Sequence, residues 1–211
     1  MVLKTMKFAR HYFFVVLASL AMSSHVAAAN GHIENHTKIQ NTQAIIAFFN
    51  DQGKLSKIAT NNGYYRVLID RNLKGDYYVQ DYFQAEQTPQ TSPFWITRQD
   101  KIFSFDEHIH EGTATFFRKN QSKLGTSTVS QGIEYAGQGF YLNGKQAVSY
   151  HLTPNNQYQT TLWYESGNKA AEYLADKSHN ILSGRAWDIH GNQIEDIQSL
   201  KKTLYALWQF E

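Results

Sequence analysis

The residues best suited to chemistry lie in one short segment, 106–111, which reads Asp-Glu-His-Ile-His-Glu. If this segment is extended, His108 and His110 point to the same side, as the two histidines of an H-x-H metal motif do. A structural zinc site usually needs four ligands, however, and no further pair of ligands lies at a diagnostic spacing. Acidic residues and histidines between two strands are also typical of a solvated loop. We therefore predict no metal ion and no cofactor, and metal binding by His108 and His110 stays the open alternative.

Motifs of hydrolytic enzymes are absent from the sequence. It contains no G-x-S-x-G, no H-E-x-x-H and no cysteine. Asp70, Asp76 and Asp81 lie near predicted turns, but a glycosidase needs two carboxylates about 5–10 Å apart, and the sequence cannot place any two of them so. We therefore predict a protein that is not an enzyme and has no catalytic residues. The alternative is a hydrolase that acts on cell-envelope material through carboxylates that the sequence does not identify.

Aromatic residues are the remaining candidates for recognition. Thirteen Tyr, thirteen Phe and four Trp make up 14% of the chain. Most must form the core, because aromatic side chains bury large apolar areas. Tyrosine also carries a polar tip, and an exposed row of tyrosines is a common binding face. The candidates for such a face are Tyr141, Tyr150, Tyr164 and Tyr173, with core packing as the alternative for each.

The stretch 112–196 nearly repeats itself, with a period of about 23 residues. Four segments align so that one aromatic residue from each falls in a single column: Phe117, Phe140, Trp163 and Trp187. A turn dipeptide follows in each segment: Asn120-Gln121, Asn143-Gly144, Ser166-Gly167 and His190-Gly191. Similarity at a fixed period marks stacked repeats, and a plain antiparallel meander is the alternative.

Each repeat is predicted to be a strand, a tight turn and a second strand. A two-residue type I′ turn, with φ > 0 at both central positions, suits the Asn-Gly pair. One hairpin is marginal in water, so the units should stack and bury each other's aromatic faces. We therefore expect Trp163 and Trp187 to be well buried on the same side of one sheet. The predicted fold class is mainly β, with antiparallel β-hairpin repeats stacked into an extended sheet.

The segments FYLNGKQA (140–147) and LWYESGNKAAEY (162–173) resemble the MORN-repeat variant of the YwqK-like antitoxin family. That family places aromatic residues before an X-Gly turn and a lysine soon after it. The resemblance covers the C-terminal part of the chain only, about 85 of 211 residues. It implies MORN-like hairpin repeats and an antitoxin-like, non-enzymatic role, and whether a toxin is involved stays open.

Residues 1–29 have the pattern of a secretory signal peptide. Three basic residues precede an apolar run of eleven (12–22), and three alanines (27–29) then form a small-residue cleavage site. The run is short for a membrane span, which takes about 20 apolar residues. We predict cleavage before Asn30 and export to the periplasm or the medium, with no stable membrane span afterwards. An uncleaved anchor is the alternative.

The charge of the mature chain limits its partners. The signal carries 3 of the 20 Lys and Arg residues and none of the 18 acidic residues, which leaves 17 basic and 18 acidic residues and a net charge of −1. Nucleic-acid binding needs a basic surface, so we exclude it. The absence of cysteine in an exported protein means that disulfides do not stabilise it.

We divide the rest of the chain into three regions: a polar N-terminal extension (30–62), a β-hairpin region (63–111) and a hairpin-repeat region (112–211). In the extension, AIIAFFN (44–50) predicts a short helix, because Ile45, Ile46 and Phe49 would share one side. Asn41 or Thr42 would cap this helix and Gly53 would end it.

At the C-terminus, four apolar residues spaced by 3, 4 and 3 predict a helix. These residues are Ile197, Leu200, Leu204 and Leu207. A final strand over 204–210 is the alternative, so the choice between helix and strand for 197–210 stays open. Taken together, these features predict an exported, non-enzymatic repeat protein that binds another protein or an envelope polymer.

Overall fold

The computed structural model describes residues 44–106, 108–196, 198–200 and 202. These residues form two antiparallel sheets, which confirms the mainly β fold class. The predicted signal peptide, its cleavage site and the predicted caps Asn41 and Thr42 lie outside the described residues.

The first sheet has five strands in the order β2-β1-β3-β4-β5. Its strands are β1 (Ala44–Phe49), β2 (Leu55–Ser56), β3 (Tyr64–Arg71), β4 (Tyr77–Phe83) and β5 (Phe94–Ile96). A short 3-10 helix, Gln99–Lys101, follows β5. The segment 97–111, which contains this helix, leads to the second sheet.

The second sheet has eight strands, and each pairs with the next one along the chain. Its strands are β6 (Gly112–Phe117), β7 (Lys123–Ser130), β8 (Ile133–Phe140), β9 (Gln146–Leu152), β10 (Tyr158–Trp163), β11 (Lys169–Ala175), β12 (Ile181–Trp187) and β13 (Gln193–Ile194). This up-and-down order follows from short turns at both edges, which can join only antiparallel neighbours.

The segment 44–50, predicted as a helix, is strand β1 and the prediction was wrong. Its residues pair with β3, for example Phe48 with Tyr65, and its even spacing of buried residues at Ala47 and Phe49 is that of a strand. A short apolar run cannot be assigned to helix or strand by periodicity alone, and pairing with β3 satisfies its backbone. Gly53, with φ of 71°, lies in the turn that joins β1 to β2.

A buried ion pair stands at the centre of the first sheet. Arg66 on β3 donates through Nε and Nη2 to the two carboxylate oxygens of Asp81 on β4, both at 2.7 Å. Its Nη1 donates to the carbonyls of Ile102 and Ser104 at 2.8 and 2.9 Å. Arg66 is fully buried, so these bonds replace the water that its charge would otherwise bind. The pair therefore fastens the segment after the 3-10 helix to the sheet.

The two sheets meet at a shared core. Isolated bridges join Thr91 to Phe116 and Trp95 to Glu111, so β6 lies alongside the end of the first sheet. The buried apolar residues at this seam come from both sheets and from the segment between them: Val79, Phe94, Ile96, Ile102, Ile109 and Ala114. The seam closes one edge of the long sheet.

Four turns, which join the strands of the second sheet at one end of those strands, have the same geometry. They are Arg118–Ser122, Tyr141–Lys145, Tyr164–Asn168 and Asp188–Asn192. In each, the first N–H donates to the fifth carbonyl and the fourth N–H donates to the first carbonyl. Only the fourth residue has positive φ: Gln121 (64°), Gly144 (81°), Gly167 (99°) and Gly191 (88°).

These turns correct the predicted type I′ geometry at Asn143-Gly144. A three-residue loop, a type I turn followed by one left-handed residue, needs positive φ at Gly144 only. Asn143 instead accepts a hydrogen bond from the Lys145 N–H through its side-chain oxygen, at 2.9 Å. A type I′ turn does occur at the opposite end of the strands, between β7 and β8, where Gln131 and Gly132 both have positive φ.

One face of the second sheet is apolar, and we call it the inner face. Its buried cluster consists of Leu162, Ala170, Ala171, Ala186 and Leu200. Gln198, Ser199 and Leu200 have helical backbone, and Asp196 accepts hydrogen bonds from the N–H groups of Gln198 and Ser199. Most of the predicted C-terminal helix or strand lies outside the described residues, so that choice stays open. Within the described ranges, no helix is long and apolar enough to cross a membrane.

Candidate functional site

The four column aromatics occupy equivalent positions on the opposite, outer face of the second sheet. Phe117, Phe140, Trp163 and Trp187 are the last residues of β6, β8, β10 and β12. The residue before Trp163 and the residue before Trp187, Leu162 and Ala186, are buried on the inner face. Because successive side chains of a strand point to opposite faces, the rings lie on the outer face. We call these four residues the outer row.

The outer row is only partly buried, which corrects the prediction that Trp163 and Trp187 are well buried. The cause is strand alternation, because the neighbouring residues Leu162 and Ala186 take the inner positions. In three of the four hairpins, but not in the one that begins with Trp187, an extra residue also follows the turn. Trp163 pairs with Lys169, and Leu162 pairs with Ala171, so Ala170 is a bulge. Ala170 and Ala171 both lie in the inner core. The sequence predicted that the aromatic ring of each hairpin would occupy this core.

A lysine or glutamine lies beside each ring of the outer row. The cross-strand partners are Lys123 of Phe117, Gln146 of Phe140, Lys169 of Trp163 and Gln193 of Trp187. The Nζ atom of Lys123 also lies 4.5 Å from the ring centroid of Phe140, and that of Lys169 lies 5.2 Å from the ring centroid of Trp187. Each of these lysines therefore reaches the aromatic ring of the next hairpin.

The charges beside the outer row are unbalanced. Glu172 lies between Lys169 and Arg185, at 2.9 and 2.6 Å. Hydrogen bonding from Lys169, with the charges of Lys169 and Arg185, holds the pKa of Glu172 below its ordinary value. Together with Lys123, this group has three cations and one carboxylate, a net charge of +2. These four side chains therefore favour an anionic ligand in their immediate neighbourhood.

Two open depressions mark the outer face. One, of about 350 Å³, is lined by Asn168, Lys169, Trp187, His190 and Gly191. The other, of about 380 Å³, is lined by Thr126, Thr128, Ala136, Gly137, Gln138, Ser149, Tyr150 and His151. Hydroxyl, amide and imidazole groups dominate the second lining. Both are shallow, so the face suits an extended ligand more than a small molecule.

Tyr141 and Tyr164, two of the predicted binding residues, link neighbouring hairpins. Each is the first residue of a turn, and its hydroxyl donates to a carbonyl of the next hairpin: Tyr141 to Trp163 at 2.6 Å, and Tyr164 to Trp187 at 2.8 Å. Arg118 does the same to the carbonyl of Phe140, at 2.5 Å. These bonds hold the strand ends that carry the outer row.

Tyr150 and Tyr173, the other two predicted binding residues, point their side chains to the inner face, although Tyr150 also contributes to the lining of the depression of about 380 Å³. Tyr150 donates to Glu134 at 2.7 Å. Tyr173 packs against the inner core, and burial raises its pKa, opposed by a hydrogen bond with Thr160. The structure thus brings none of the four tyrosines into the outer row, and their contact with a partner stays a prediction.

Glu134 on β8 is the centre of a polar cluster that the sequence analysis did not identify. It accepts hydrogen bonds from Ser127 and Tyr150, and His108 Nε2 lies 3.2 Å from its other oxygen. Burial raises the pKa of Glu134, but hydrogen bonds from His108, Ser127 and Tyr150 outweigh it and the pKa lies below its ordinary value. The carboxylate therefore stays charged and fastens the segment 97–111 to the sheet.

His108 and His110, the predicted metal candidates, reach different partners. His108 bonds to the carboxylate of Glu134, whereas His110 Nε2 lies 3.2 Å from the carbonyl of Ser127. The ring of His110 is buried against the edges of two phenylalanines, and burial lowers its pKa. In the part of the chain that the structure describes, no three His, Asp or Glu side chains are grouped to hold a metal ion.

The three carboxylates considered for a hydrolase each have a local structural partner. Asp81 neutralises Arg66, as described above. Asp76 accepts from the side chain of Asn72 at 2.8 Å, and Asp70 accepts from the N–H of Arg71 at 2.7 Å. These contacts give each carboxylate a structural role, in a turn for Asp70 and Asp76 and in the core for Asp81.

Comparison of the chain with models of known protein families and with curated proteins gave no match. The functional interpretation therefore depends on the outer row. The 23-residue period locates these residues in the sequence, but the face they occupy follows from the strand register, which puts Leu162 and Ala186 in the inner core.

Proposed function

We propose that this is an exported, non-enzymatic repeat protein that binds an extended partner, a protein or an envelope polymer, along the outer row. One observation carries the proposal: four equivalent hairpins each place an aromatic ring, partly exposed, at the end of every second strand on the same face. Exposed apolar groups arranged contiguously mark interaction surfaces. A series of such units presents a broad face that suits an extended partner.

The proposal includes MORN-like repeats and an export signal at residues 1–29. The repeated turn geometry at Tyr141–Lys145 and Tyr164–Asn168 supports the first part, because both turns follow a column aromatic and a lysine, Lys145 or Lys169, comes soon after the turn glycine. The basic and apolar pattern of the first 29 residues supports the second part. The proposal does not require a toxin as the partner.

The alternative, an envelope-acting hydrolase, would need a carboxylic acid that can donate a proton. Glu134 is a largely enclosed carboxylate, but its pKa is lowered, whereas a general acid needs a raised pKa. Purified protein should therefore not turn over peptidoglycan or simple ester and glycoside substrates. Turnover that disappears in Glu134→Gln would establish the hydrolase instead.

A pull-down tests the binding proposal: the mature chain is immobilised, and a partner from envelope extract is retained on it. Trp163→Ala should lose the partner that the native chain retains. Because Trp163 is partly exposed, this change should cost less stability than the roughly 3–5 kcal/mol of a fully buried tryptophan. Phe103→Ala is the matched control, since Phe103 is an exposed aromatic residue in the segment 97–111. Equal retention by all three folded proteins would show that the outer row is not the binding surface.

A further inference from the structure

We infer that the ligand of the outer row is a single, linear polysaccharide chain with β-1,4 linkages and carboxylate groups. The inference rests on the proposed function, because it names the partner of the same surface. Three features of the outer face lead to it: the spacing of the rings, the twist of the sheet and the charge beside the rings.

The spacing of the rings fits a repeating disaccharide. The four rings stand on β6, β8, β10 and β12, so neighbours are two strands apart. Strands in a sheet lie about 4.8 Å apart, which places neighbouring rings about 10 Å apart. A disaccharide unit of an extended β-1,4-linked pyranose chain has nearly this length. Successive units can therefore lay an equivalent C–H face on each ring, and aromatic rings provide an apolar platform for such a face.

The twist of the sheet favours a single chain over a flat surface. Neighbouring strands rotate by about 20–25°, so rings two strands apart differ in orientation by about 40–50°. A soluble polysaccharide chain can coil to follow this rotation. The flat face of a crystalline polymer cannot contact more than one or two of the rings at once.

The charge beside the rings favours a ligand with carboxylates. Lys123 and Lys169 reach over Phe140 and Trp187, and only one of them, Lys169, is paired with Glu172. A ligand carboxylate can draw each ammonium group aside and free the ring for stacking. A uronic acid polymer carries a carboxylate on every sugar unit, so one carboxylate can reach Lys123 and another can reach Lys169, which stand four strands, or about 19 Å, apart.

Polar groups next to the rings suit sugar hydroxyls. The depression of about 380 Å³ presents Thr126, Gln138 and Ser149 on the strands that carry and adjoin Phe140. Each of these side chains can both donate and accept a hydrogen bond, as recognition of hydroxyl groups requires.

The test measures binding of three soluble probes by calorimetry at low and high salt. The probes are oligomers of β-1,4-linked mannuronic acid, neutral cello-oligosaccharides and poly-L-glutamate. We expect the mannuronate oligomers to bind most tightly and to weaken as salt is added, because exposed charges are screened. The double variant Lys123→Gln, Lys169→Gln should raise their Kd about tenfold or more, as loss of two charged contacts does. Lys177→Gln, at an exposed turn on the opposite edge, is the control and should leave Kd unchanged.

Other outcomes overturn the inference and show which part fails. Equal binding of the neutral oligosaccharides would remove the role of charge, and equal binding of polyglutamate would point to an acidic protein instead of a sugar. If no probe binds but Trp163→Ala still loses a partner from envelope extract, the polysaccharide is wrong and the outer row remains the binding surface. If no probe binds and Trp163→Ala retains that partner, both proposals fail. The lysine variants change exposed groups, so a correct fold is expected, and melting curves verify it.

Discussion

Replacement of Gly144 tests the repeated turn on which the outer row depends. Gly144 has φ of 81°, and a Cβ atom added there would meet nothing within 4 Å. The whole effect of a substitution therefore comes from the backbone. We expect the free energy of unfolding to fall in the order Gly144→Asn, Gly144→Ala, Gly144→Val, because asparagine tolerates the left-handed region best and β-branched residues tolerate it least.

The magnitude for Gly144→Ala follows from two opposing effects. Left-handed backbone costs a residue with a Cβ about 1–2 kcal/mol. The lower entropy of the unfolded chain returns about 0.4–1 kcal/mol. The net loss is therefore about 1 kcal/mol, which corresponds to a fall in Tm of about 2–4 °C for a chain of this size.

Thermal and urea unfolding followed by circular dichroism would measure the series, with Leu142→Ala as the control in the same turn. Leu142 is exposed and its φ is not positive, so its replacement should leave Tm nearly unchanged. Gly137 is a contrasting position, because an added Cβ would lie 2.2 Å from the Tyr150 hydroxyl oxygen. The loss of stability in a series of Gly137 variants should therefore follow the size of the new side chain. Equal stability of all three Gly144 variants, or an order that follows size, would refute the turn geometry.

Three further predictions concern the ion pair, the polar cluster and export. Asp81→Asn should lower the free energy of unfolding by about 3–5 kcal/mol in urea titrations, because it leaves the charge of Arg66 buried without a partner. Burial lowers the pKa of His110 below 6.5, so the unfolded chain binds the proton first and stability should fall as the pH drops below about 6.5; His110→Gln should flatten this part of a Tm-against-pH curve. The pKa of Glu134 is also lowered, from 4.5, so a second loss of stability should follow below about pH 4.5, and a flat curve through both ranges would contradict the cluster. Mass spectrometry of the exported protein should find Asn30 at the N-terminus, and recovery of the intact 24.3 kDa chain from membranes would show that the signal is not cleaved.

The sequence predicts the antiparallel hairpins and the turn positions because these depend on neighbouring residues. X-Gly pairs at a 23-residue interval locate three of the four turns, and the fourth has Gln121 in the left-handed position. The strand at 44–49 could not be recognised, since a six-residue apolar run fits a helix equally well until its partner β3 is known.

The candidate site was only half predictable, because it depends on the register of the sheet and on distant contacts. The period identifies Trp163 and Trp187 as equivalent, but the pairing of Leu162 with Ala171 and of Ala171 with Ala186 decides that these three residues lie inside and the two rings outside. The cluster joins Glu134 to residues from three other elements, up to 26 positions away in sequence. Such contacts follow from sheet register and segment packing, which a local pattern does not contain.

The most direct test of the outer row as the binding surface is an NMR titration of the tryptophan indole N–H signals. Trp163 and Trp187 belong to the row, whereas Trp95 packs on Tyr78 in the first sheet and serves as an internal control. Addition of mannuronate oligomers should shift the signals of Trp163 and Trp187 and leave that of Trp95 in place. A shift at Trp95 alone, or unchanged signals at both row tryptophans under saturating ligand, would contradict the account.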